Sequence, residues 1–366
     1  MNIDLKYMKR AVALAKRGAG WVNPNPMVGA VLVKDGRIIG EGFHEFFGGP
    51  HAEVNAIRAC TAASEQAEGS ILYVTLEPCA HEGKTPPCVN LIAEQKIARV
   101  VIGITDPNPL VNGQGIQFLQ SRGIRVEVGV MEPQIRELNE IFIKYIHTGQ
   151  PFVVLKSAMT LDGKIATVTN ASRWITGERS RKMVHHMRQQ LSAVMVGVDT
   201  VIFDDPMLNI RMKGEWKNPL KIIADTHGRI PLEAKVLTHD PQLTIVAASE
   251  QADMKKLKDI ERKGAQVLIC PLKNDKVDLA FVMKSLGAMG IDSVMIEGGS
   301  TIAFSALQER LVDKVVSFIA PKILGGVNAP TAVGGTGISS MDDAIDLVNM
   351  RTRKIGQDLM LEGWIK

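Results

Sequence analysis

The sequence predicts an α/β protein built from two domains. Apolar segments typical of strands alternate with helix-like segments along the whole chain, a pattern that indicates sheets covered by helices. The length of 366 residues exceeds that of one small module and suits two domains. The clearest interruption is the stretch His-Thr-Gly-Gln-Pro at 147–151, so the domains are predicted at residues 1–147 and 148–366.

The first domain is expected to contain a mixed, mostly parallel sheet. An opening helix leads to apolar strands at 27–33 and 37–43, and the Asp35-Gly36 turn between them predicts a hairpin. Further helices are predicted at 51–60 and 88–96, just before residue 125, and from Glu132 to His147; further strands are predicted at 71–77, 99–104 and 125–129. Strands separated by such helices predict three layers, with helices on both faces of the sheet.

The second domain repeats the α/β theme with a different sequence. Predicted strands lie at 151–159, 192–197, 220–225, 243–248, 265–270, 293–298 and 314–321, and predicted helices lie near 178–191, 278–289 and 301–309. No segment recurs at a fixed period along the chain, which excludes solenoids and propellers.

Composition excludes several classes of protein. With 45% hydrophobic and 22% charged residues, the chain resembles ordinary globular proteins, so a disordered, collagen-like or coiled-coil protein is not expected. The N-terminal stretch is amphipathic and interrupted by lysine and arginine, unlike a signal peptide, and no apolar run is long enough to span a membrane. We therefore expect a cytoplasmic protein with no membrane partner.

The net charge of +4 gives no indication of a nucleic-acid partner. The first domain carries 15 basic and 15 acidic residues, and the second carries 28 and 24. Binding to a phosphate backbone requires a concentrated basic face, and neither balance indicates one. Small anionic ligands are compatible with both domains.

Three residues of the first domain are predicted to bind zinc: His51, Cys79 and Cys88. His51 begins a predicted helix, Cys79 follows a strand and Cys88 begins the next helix, so the three can converge at one rim of the sheet. One histidine and two thiolates leave the fourth tetrahedral position free, as in catalytic rather than structural zinc sites. The other two cysteines, Cys60 and Cys270, have no such neighbours and are interpreted as buried core thiols.

Glu53 is the predicted catalytic residue of this site. It lies two residues after His51, where a carboxylate can stand beside a metal-activated water without binding the metal. From there it can take a proton from the water and pass it to a leaving amine, so the residues indicate hydrolytic deamination. The alternative is a non-catalytic protein with a structural zinc ion and a nucleotide-sensing second half, which has no need of such a carboxylate.

The spacing of the two cysteines separates this chain from most zinc deaminases. Their signature is H-x-E followed by P-C-x-x-C, whereas here the second cysteine stands nine positions after the first, in PCAHEGKTPPC (78–88). A nucleoside or tRNA deaminase with an accessory domain is the alternative that this spacing disfavours. Residues 1–147 instead resemble the deaminase half of the bifunctional riboflavin biosynthesis deaminase/reductase, through that segment and through NPMVGAV (25–31), GFHEFFGGPHAE (42–53) and DPNPLVNGQG (106–115).

The resemblance implies a cytidine-deaminase-like α/β/α fold for the first domain, with one zinc ion. It places four residues in the substrate pocket: Asn25, His44, His81 and Lys84. It also implies a phosphorylated pyrimidine as the substrate of deamination, namely 2,5-diamino-6-ribosylamino-4(3H)-pyrimidinone 5′-phosphate.

The second domain carries candidate binding loops but no Rossmann fingerprint, since no G-x-G-x-x-G follows its first strand. Residues 293–301, SVMIEGGST, form a strand that ends in glycines before a helix, which suits a phosphate ligand and equally a structural turn. This segment, with KSAMTLDGKIA (156–166), ASRWITGE (171–178) and VGVDTVIFDDPMLNIR (196–211), resembles the reductase half of the same family. The resemblance implies a dihydrofolate-reductase-like α/β fold and NADPH as cofactor.

The resemblance also implies the ligand contacts of the second domain. The implied NADPH contacts are Ala158, Trp174, Thr200, Asp204, Gly299, Ser300, Thr301, Ile302, Ala303, Phe304 and Ser305. The implied contacts to the ribosylamino-pyrimidine phosphate are Lys156, Ser172, Arg188, Leu208, Arg211 and Glu297. The two arginines suit a phosphate, because a guanidinium binds it through two hydrogen bonds. The implied reaction is reduction of the ribosyl chain to ribityl, by a homo-oligomer expected to be a dimer.

Overall fold

The computed structural model describes residues 3–80, 86–108 and 111–366. The chain divides into two compact units, unit 1 (Met1–Gly149) and unit 2 (Gln150–Lys366). Each unit has its own buried apolar core around a sheet. None of the helices in these ranges is both long and apolar enough to cross a membrane.

Unit 1 is built on a five-stranded sheet. Its elements are α1 (Ile3–Ala15), β1 (Gly29–Lys34), β2 (Arg37–Phe43), α2 (Ala52–Ala62), β3 (Ile71–Leu76), α3 (Cys88–Glu94), β4 (Arg99–Ile104), α4 (Gln114–Ser121), β5 (Arg125–Val128), α5 (Glu132–Leu138) and α6 (Glu140–Thr148), with a 3-10 turn at Lys16–Gly18. The strand order is β2-β1-β3-β4-β5. β1 is antiparallel to β2 and β3, while β3, β4 and β5 are parallel.

This topology gathers one set of chain segments at a single edge of the sheet, which we call the functional edge of unit 1. Since β2 and β3 are both antiparallel to β1, they run in the same direction. The start of β1 and the ends of β2, β3 and β4 therefore lie together. β1, β3 and β4 are buried along nearly their whole length, because helices cover both faces of the sheet.

Helix α2 lies directly on β2 because two glycines of that strand leave room for it. A Cβ at Gly42 would stand 2.3 Å from the backbone nitrogen of Ala56, and one at Gly40 would stand 2.3 Å from the Ala56 carbonyl oxygen. No side chain fits at either position without displacing helix backbone. The close contact fixes the N-terminus of α2 at the functional edge of unit 1.

The end of unit 1 differs from the single helix that the sequence predicts between Glu132 and His147. Two helices, α5 and α6, meet at Asn139, whose backbone leaves the helical conformation at φ −108° and ψ 23°. The buried Asn139 side chain accepts a hydrogen bond from Met27 N at 2.8 Å and donates one to Met27 O at 3.1 Å. This side-chain pairing with distant backbone competes with a continuous helix.

Unit 2 is built on a nine-stranded sheet. Its elements are β6 (Phe152–Thr160), α7 (Glu178–Gln190), β7 (Ala193–Gly197), α8 (Val198–Asp204), β8 (Leu220–Ala224), α9 (Lys235–Thr238), β9 (Thr244–Ala248), α10 (Met254–Arg262), β10 (Gln266–Ile269), β11 (Leu272–Lys273), β12 (Lys276–Val277), α11 (Leu279–Ala288), β13 (Ser293–Glu297), α12 (Ser300–Gln308), β14 (Lys314–Ala320), β15 (Leu347–Ile355) and β16 (Asp358–Ile365), with 3-10 turns at Pro241–Leu243 and Met341–Asp343.

The strand order of this sheet is β10-β9-β8-β7-β13-β6-β14-β16-β15. The seven strands from β10 to β14 are parallel, and the β15–β16 hairpin adds antiparallel strands at one side. Sequence patterning does not predict this hairpin, because β15 is mostly exposed and carries arginines and lysine in place of an apolar face. The ends of β6, β7, β8 and β13 meet at one edge, as parallel strands require.

Candidate active sites

The three predicted metal ligands converge at the functional edge of unit 1. His51 caps the start of α2, Cys79 follows the end of β3, and Cys88 is the first residue of α3. His51 Nδ1 lies 3.5 Å from Cys79 Sγ and 3.3 Å from Cys88 Sγ, and all three ligand atoms lie within 4.8 Å of one another. In a tetrahedral zinc site with ordinary bond lengths, nitrogen and sulfur ligands stand about 3.6 Å apart. The donor set and its spacing therefore fit zinc.

The environment of the two thiols favours a thiolate at Cys79. A hydrogen bond from Cys88 lowers the pKa of Cys79 and raises that of Cys88, and His51 stabilises the same thiolate. The backbone N–H of Cys88 also points to Cys79 Sγ, at 3.4 Å. Thiolates are the form in which cysteine binds metals.

Glu53 lies in the first turn of α2, beside the metal ligands but outside their cluster. Its side chain is only 3% exposed. Burial, together with the negative charge of Cys79, raises the pKa of Glu53 to about 7. A carboxyl group with this pKa can both accept and release a proton near neutral pH, as a general acid–base requires.

A cavity of about 360 Å³ opens next to these residues. Two predicted substrate residues, Asn25 and His44, line it. His44 Nδ1 donates to the carbonyl oxygen of Pro50 at 3.0 Å, since that oxygen can only accept, and His44 Nε2 accepts from Asn25 Nδ2 at 3.2 Å. With one ring nitrogen donating and the other accepting, the ring is neutral in this arrangement. Burial also lowers the pKa of His44.

The rest of the pocket wall was not predicted. It includes Asp106 and Asn108 after β4, and the apolar side chains Phe47, Phe142 and Ile146. The sequence signal for the two polar residues was the Asp-Pro-Asn turn directly after an apolar strand. The predicted pocket residues His81 and Lys84 lie outside the described residues, and their roles stay predictions.

Seven of the predicted ligand contacts of unit 2 line a second cavity, of about 750 Å³. They are Lys156, Ala158, Ser172, Trp174, Arg188, Arg211 and Glu297. Further basic and aromatic residues that were not predicted share this wall: Arg181, Lys182, His185, Lys213 and Trp216. Such a cavity suits an anionic ligand with a planar ring.

The floor of this cavity is a buried charge cluster. Arg188 Nε and Nη2 donate to the two oxygens of Glu297 at 2.6 and 3.0 Å, and Lys156 Nζ stands 3.5 Å from the same carboxylate. Burial alone would raise the pKa of Glu297, but the two cations hold it at about 2. Arg188 also donates to Asn209 O at 2.9 Å, so much of its donor capacity is already used within the chain.

Other predicted contacts of unit 2 interact with neighbouring side chains of the same unit. Ser172 Oγ donates to Asp204 Oδ1 at 2.8 Å, and Arg211 Nη1 donates to the Asn209 side chain at 3.0 Å. Leu208 is buried, whereas Trp174 is 60% exposed and stacks under Arg181 with the guanidinium 4.4 Å from the ring centre. The ligand roles of these residues stay predictions.

A third cavity, of about 630 Å³, opens at the N-terminus of α12. Thr301, Ile302, Phe304 and Ser305 line it, while the Ala303 side chain belongs to the apolar core. Gly299, at φ +84°, precedes the helix, and a Cβ there would stand 3.2 Å from Ile302 Cγ2 and 3.5 Å from Thr200 Oγ1. A glycine turn before exposed helix N–H groups suits a phosphate-bearing cofactor. Thr226, His227, Arg229 and Lys273 also line this cavity and were not predicted.

The fold and the metal cluster of unit 1 define a zinc-dependent deaminase. On the same chain, unit 2 carries two cavities that suit anionic ligands. Comparison with protein families agrees: residues 1–104 match the cytidine and deoxycytidylate deaminase zinc-binding region, and residues 151–361 match the RibD C-terminal domain.

Full-length relatives identify the family. The riboflavin biosynthesis protein RibD of Actinobacillus pleuropneumoniae is 47% identical over 359 residues, which cover 98% of this chain and 94% of that protein. The RibD protein of Aquifex aeolicus is 45% identical over 360 residues, with 98% of both chains covered. The chain therefore belongs to the RibD family of riboflavin biosynthesis proteins.

Solved structures give the same result. RibD of Acinetobacter baumannii is similar with a TM-score of 0.89 and 38% identity, covering 100% of this chain and 99% of that one. A diaminohydroxyphosphoribosylaminopyrimidine deaminase/5-amino-6-(5-phosphoribosylamino)uracil reductase of Thermotoga maritima has a TM-score of 0.87 and 40% identity, with the same coverage. The predicted fold classes are confirmed, as are the two activities, deamination and reduction in riboflavin biosynthesis, and the cofactors zinc and NADPH.

Proposed function

We propose that unit 1 deaminates 2,5-diamino-6-ribosylamino-4(3H)-pyrimidinone 5′-phosphate and that unit 2 then reduces the product, 5-amino-6-(5-phosphoribosylamino)uracil. The observation that carries the proposal is a buried carboxylate, Glu53, beside a His-Cys-Cys cluster at a pocket of suitable size for a pyrimidine. The relative from Thermotoga maritima, a diaminohydroxyphosphoribosylaminopyrimidine deaminase and 5-amino-6-(5-phosphoribosylamino)uracil reductase, supports this choice of substrate.

In deamination, Glu53 moves the protons. His51, Cys79 and Cys88 would hold the zinc ion, which when bound would lower the pKa of water and so provide a nucleophile at neutral pH. A Glu53 carboxylate oxygen accepts a proton from the attacking water and donates it to the departing nitrogen, so that the C–NH₂ group and water become a carbonyl group and ammonia. Asn25 and His44 hold polar atoms of the pyrimidine, and the apolar wall that includes Phe142 packs against its ring.

In reduction, the residues of unit 2 hold two ligands against each other. When bound, NADPH would supply the hydride for the sugar carbon C1 in its opened, imine-like form, and a proton from water would complete the reduction at the nitrogen. The segment from Gly299 to Ser305 binds the cofactor phosphates at the start of α12, while Arg211 and neighbouring cations bind the substrate phosphate. The ion pairs of Glu297 with Arg188 and Lys156 keep the floor of the site rigid, which preserves the geometry of transfer.

We also propose that the deaminase is contained in residues 1–147 and the reductase in residues 148–366, and that the protein is a cytoplasmic homodimer. The division into Met1–Gly149 and Gln150–Lys366 supports these boundaries. The four free cysteines fit a reducing compartment. The outer strand β15, with Val348 and Met350 exposed at the edge of the sheet, offers a surface for a second copy.

The test is mass spectrometry of the products formed by zinc-loaded protein with and without NADPH. The deaminated compound should form without NADPH, and the deaminated and reduced compound with it. Glu53→Gln should lower the deamination rate by about 10²–10⁴-fold. The zinc content of this variant should be unchanged, and so should the rate at which it reduces the deaminated compound when that compound is added directly. Undiminished deamination by Glu53→Gln would contradict its role, and the absence of both products from zinc-loaded wild type would contradict the proposed substrate.

A further inference from the structure

Glu77 is a buried carboxylate that the proposed chemistry does not use. It directly follows β3 and its side chain is 4% exposed. Its Oε2 accepts hydrogen bonds from the backbone N–H groups of Asp106 and Gly113, both at 3.0 Å. Its Oε1 accepts from the backbone N–H groups of Gly115 at 2.9 Å and Ile116 at 3.2 Å. Four backbone donors thus surround one carboxylate.

These bonds join the strand that precedes the metal ligand Cys79 to the segment after β4. That segment supplies Asp106 and Asn108 to the wall of the deaminase pocket, and Asn108 N donates to Asp106 Oδ1 at 2.9 Å. At its far side the start of α4 is pressed against the same strand end, since a Cβ at Gly115 would stand 2.1 Å from the Pro78 carbonyl oxygen. The position of the polar wall therefore depends on Glu77.

We infer that Glu77 is a positioning residue of the deaminase, which fixes Asp106 and Asn108 against the substrate. A buried carboxylate is costly unless its oxygens are fully hydrogen-bonded, and here every bond goes to the backbone of this one segment. Glu77 is separate from the metal-ligand cluster found in the described part of the chain, so its effect on the reaction passes through the segment and not through the metal. The inference rests on the proposed deaminase function.

The first test is Glu77→Gln, which keeps the side-chain shape. The amide oxygen can still accept two N–H groups, but the amide nitrogen faces the other two as a second donor. We expect the KM of deamination to rise about tenfold or more, with kcat changed by less than about threefold, because substrate contacts are lost while Glu53 and the metal stay in place. The zinc content of Glu77→Gln should match that of wild type. The kcat and KM of reduction should also match wild type when the deaminated compound is added directly to the same protein.

A double-mutant cycle separates positioning from general stability. Asn108→Ala should raise the deaminase KM in the wild-type background and add little further in Glu77→Gln, since both changes remove the same contact. The matched control is Glu132→Gln, which removes a half-exposed carboxylate at the start of α5 that pairs only with Arg136 in the described residues, at 2.7 Å. This control should leave both activities unchanged.

Three results would overturn the inference: an unchanged KM in folded Glu77→Gln, strictly additive effects of Glu77→Gln and Asn108→Ala, or loss of zinc from Glu77→Gln. If Glu77→Gln does not fold, the KM of Asn108→Ala tests the inference instead. An unchanged KM in that variant would show that Asn108 makes no contact with the substrate, so that Glu77 would have no such contact to position. Failure of the proposed function is distinct, since wild type itself would then not deaminate the proposed substrate.

Discussion

Two buried glutamates show how neighbouring residues set the behaviour of one side-chain type. Glu53 and Glu297 are both almost inaccessible to water. Burial and, after it, the Cys79 thiolate raise the pKa of Glu53 to about 7. Burial acts in the same direction on Glu297, but Arg188 and Lys156 outweigh it and lower that pKa to about 2. The first group can therefore exchange protons at neutral pH, while the second is a fixed charge.

The Glu297 cluster predicts a large effect on stability. Glu297→Gln leaves two buried cations without their counter-ion, so we expect the free energy of unfolding of unit 2 to fall by about 3–5 kcal/mol at pH 7. Tryptophan fluorescence in a urea titration measures this, since three of the four tryptophans lie in unit 2. Exposed Glu261→Gln on α10 is the matched control and should change stability by less than about 0.5 kcal/mol.

The sign of the pH dependence follows from the same pKa. Because folding lowers the pKa of Glu297 from 4.5 to about 2, its contribution is fully present above pH 4.5 and is lost as pH falls toward 2. The stability difference between wild type and Glu297→Gln should therefore narrow between pH 5 and pH 3. A difference that stays constant over this range would show that the ion pairs do not stabilise the folded state.

At the scale of single residues, the sequence predicts which side chains carry the zinc chemistry better than it predicts which side chains form ion pairs. His51, Glu53, Cys79 and Cys88 were found because their types and order carry a signature of zinc chemistry. The partner of Arg188 could not be found, because Glu297 lies 109 residues further along the chain and meets it only through the sheet. From sequence, a guanidinium suits a substrate phosphate and a carboxylate equally well.

At the scale of elements, the buried apolar strands could be predicted from the sequence. The break between two helices at a polar residue and a hairpin with a mostly exposed, polar strand could not. The strands that line both sites lie close to their predicted positions, since continuous apolar runs mark strands covered on both faces. The break between α5 and α6 and the hairpin β15–β16 depend on contacts that no local pattern records. Asn139 pairs with Met27, 112 residues away, and β15 is held by β16 with little burial of its own side chains.

The break at Asn139 can be tested by removing its side chain. Asn139→Ala leaves the N–H and carbonyl groups of Met27 without partners, so we expect a loss of about 1–3 kcal/mol in the local stability of this part of unit 1. Hydrogen exchange of peptides that contain Met27 should speed up, while peptides from unit 2 should exchange as in wild type. The control is Asn90→Ala, at an exposed position on α3. Unchanged exchange at Met27 would show that the break does not depend on this side chain.

At the scale of the whole molecule, each unit places its site by the same rule. In unit 1 the metal ligand Cys79 and the pocket residue Asp106 follow neighbouring parallel strands, β3 and β4. In unit 2 Glu297 and the glycines before α12 stand where β13 ends, between β6 and β7. Ligands of parallel sheets bind at the ends of strands because loops and helix N-termini converge there. Deamination and reduction thus use sites of the same kind, at the ends of parallel strands, and each site is formed by side chains of a different unit.

This separation predicts that zinc removal affects one activity alone. The metal ligands all lie in unit 1, whereas the residues around the two described cavities of unit 2 all lie between Lys156 and Thr336. Incubation with a chelator should lower deamination at least about a hundredfold and leave reduction of supplied 5-amino-6-(5-phosphoribosylamino)uracil within about twofold. Deamination should return when Zn²⁺ is added in excess of the chelator. The rates of both reactions, measured on one sample before and after chelation, distinguish the two outcomes. If both activities are lost and recovered together, the metal supports the fold of the reductase as well.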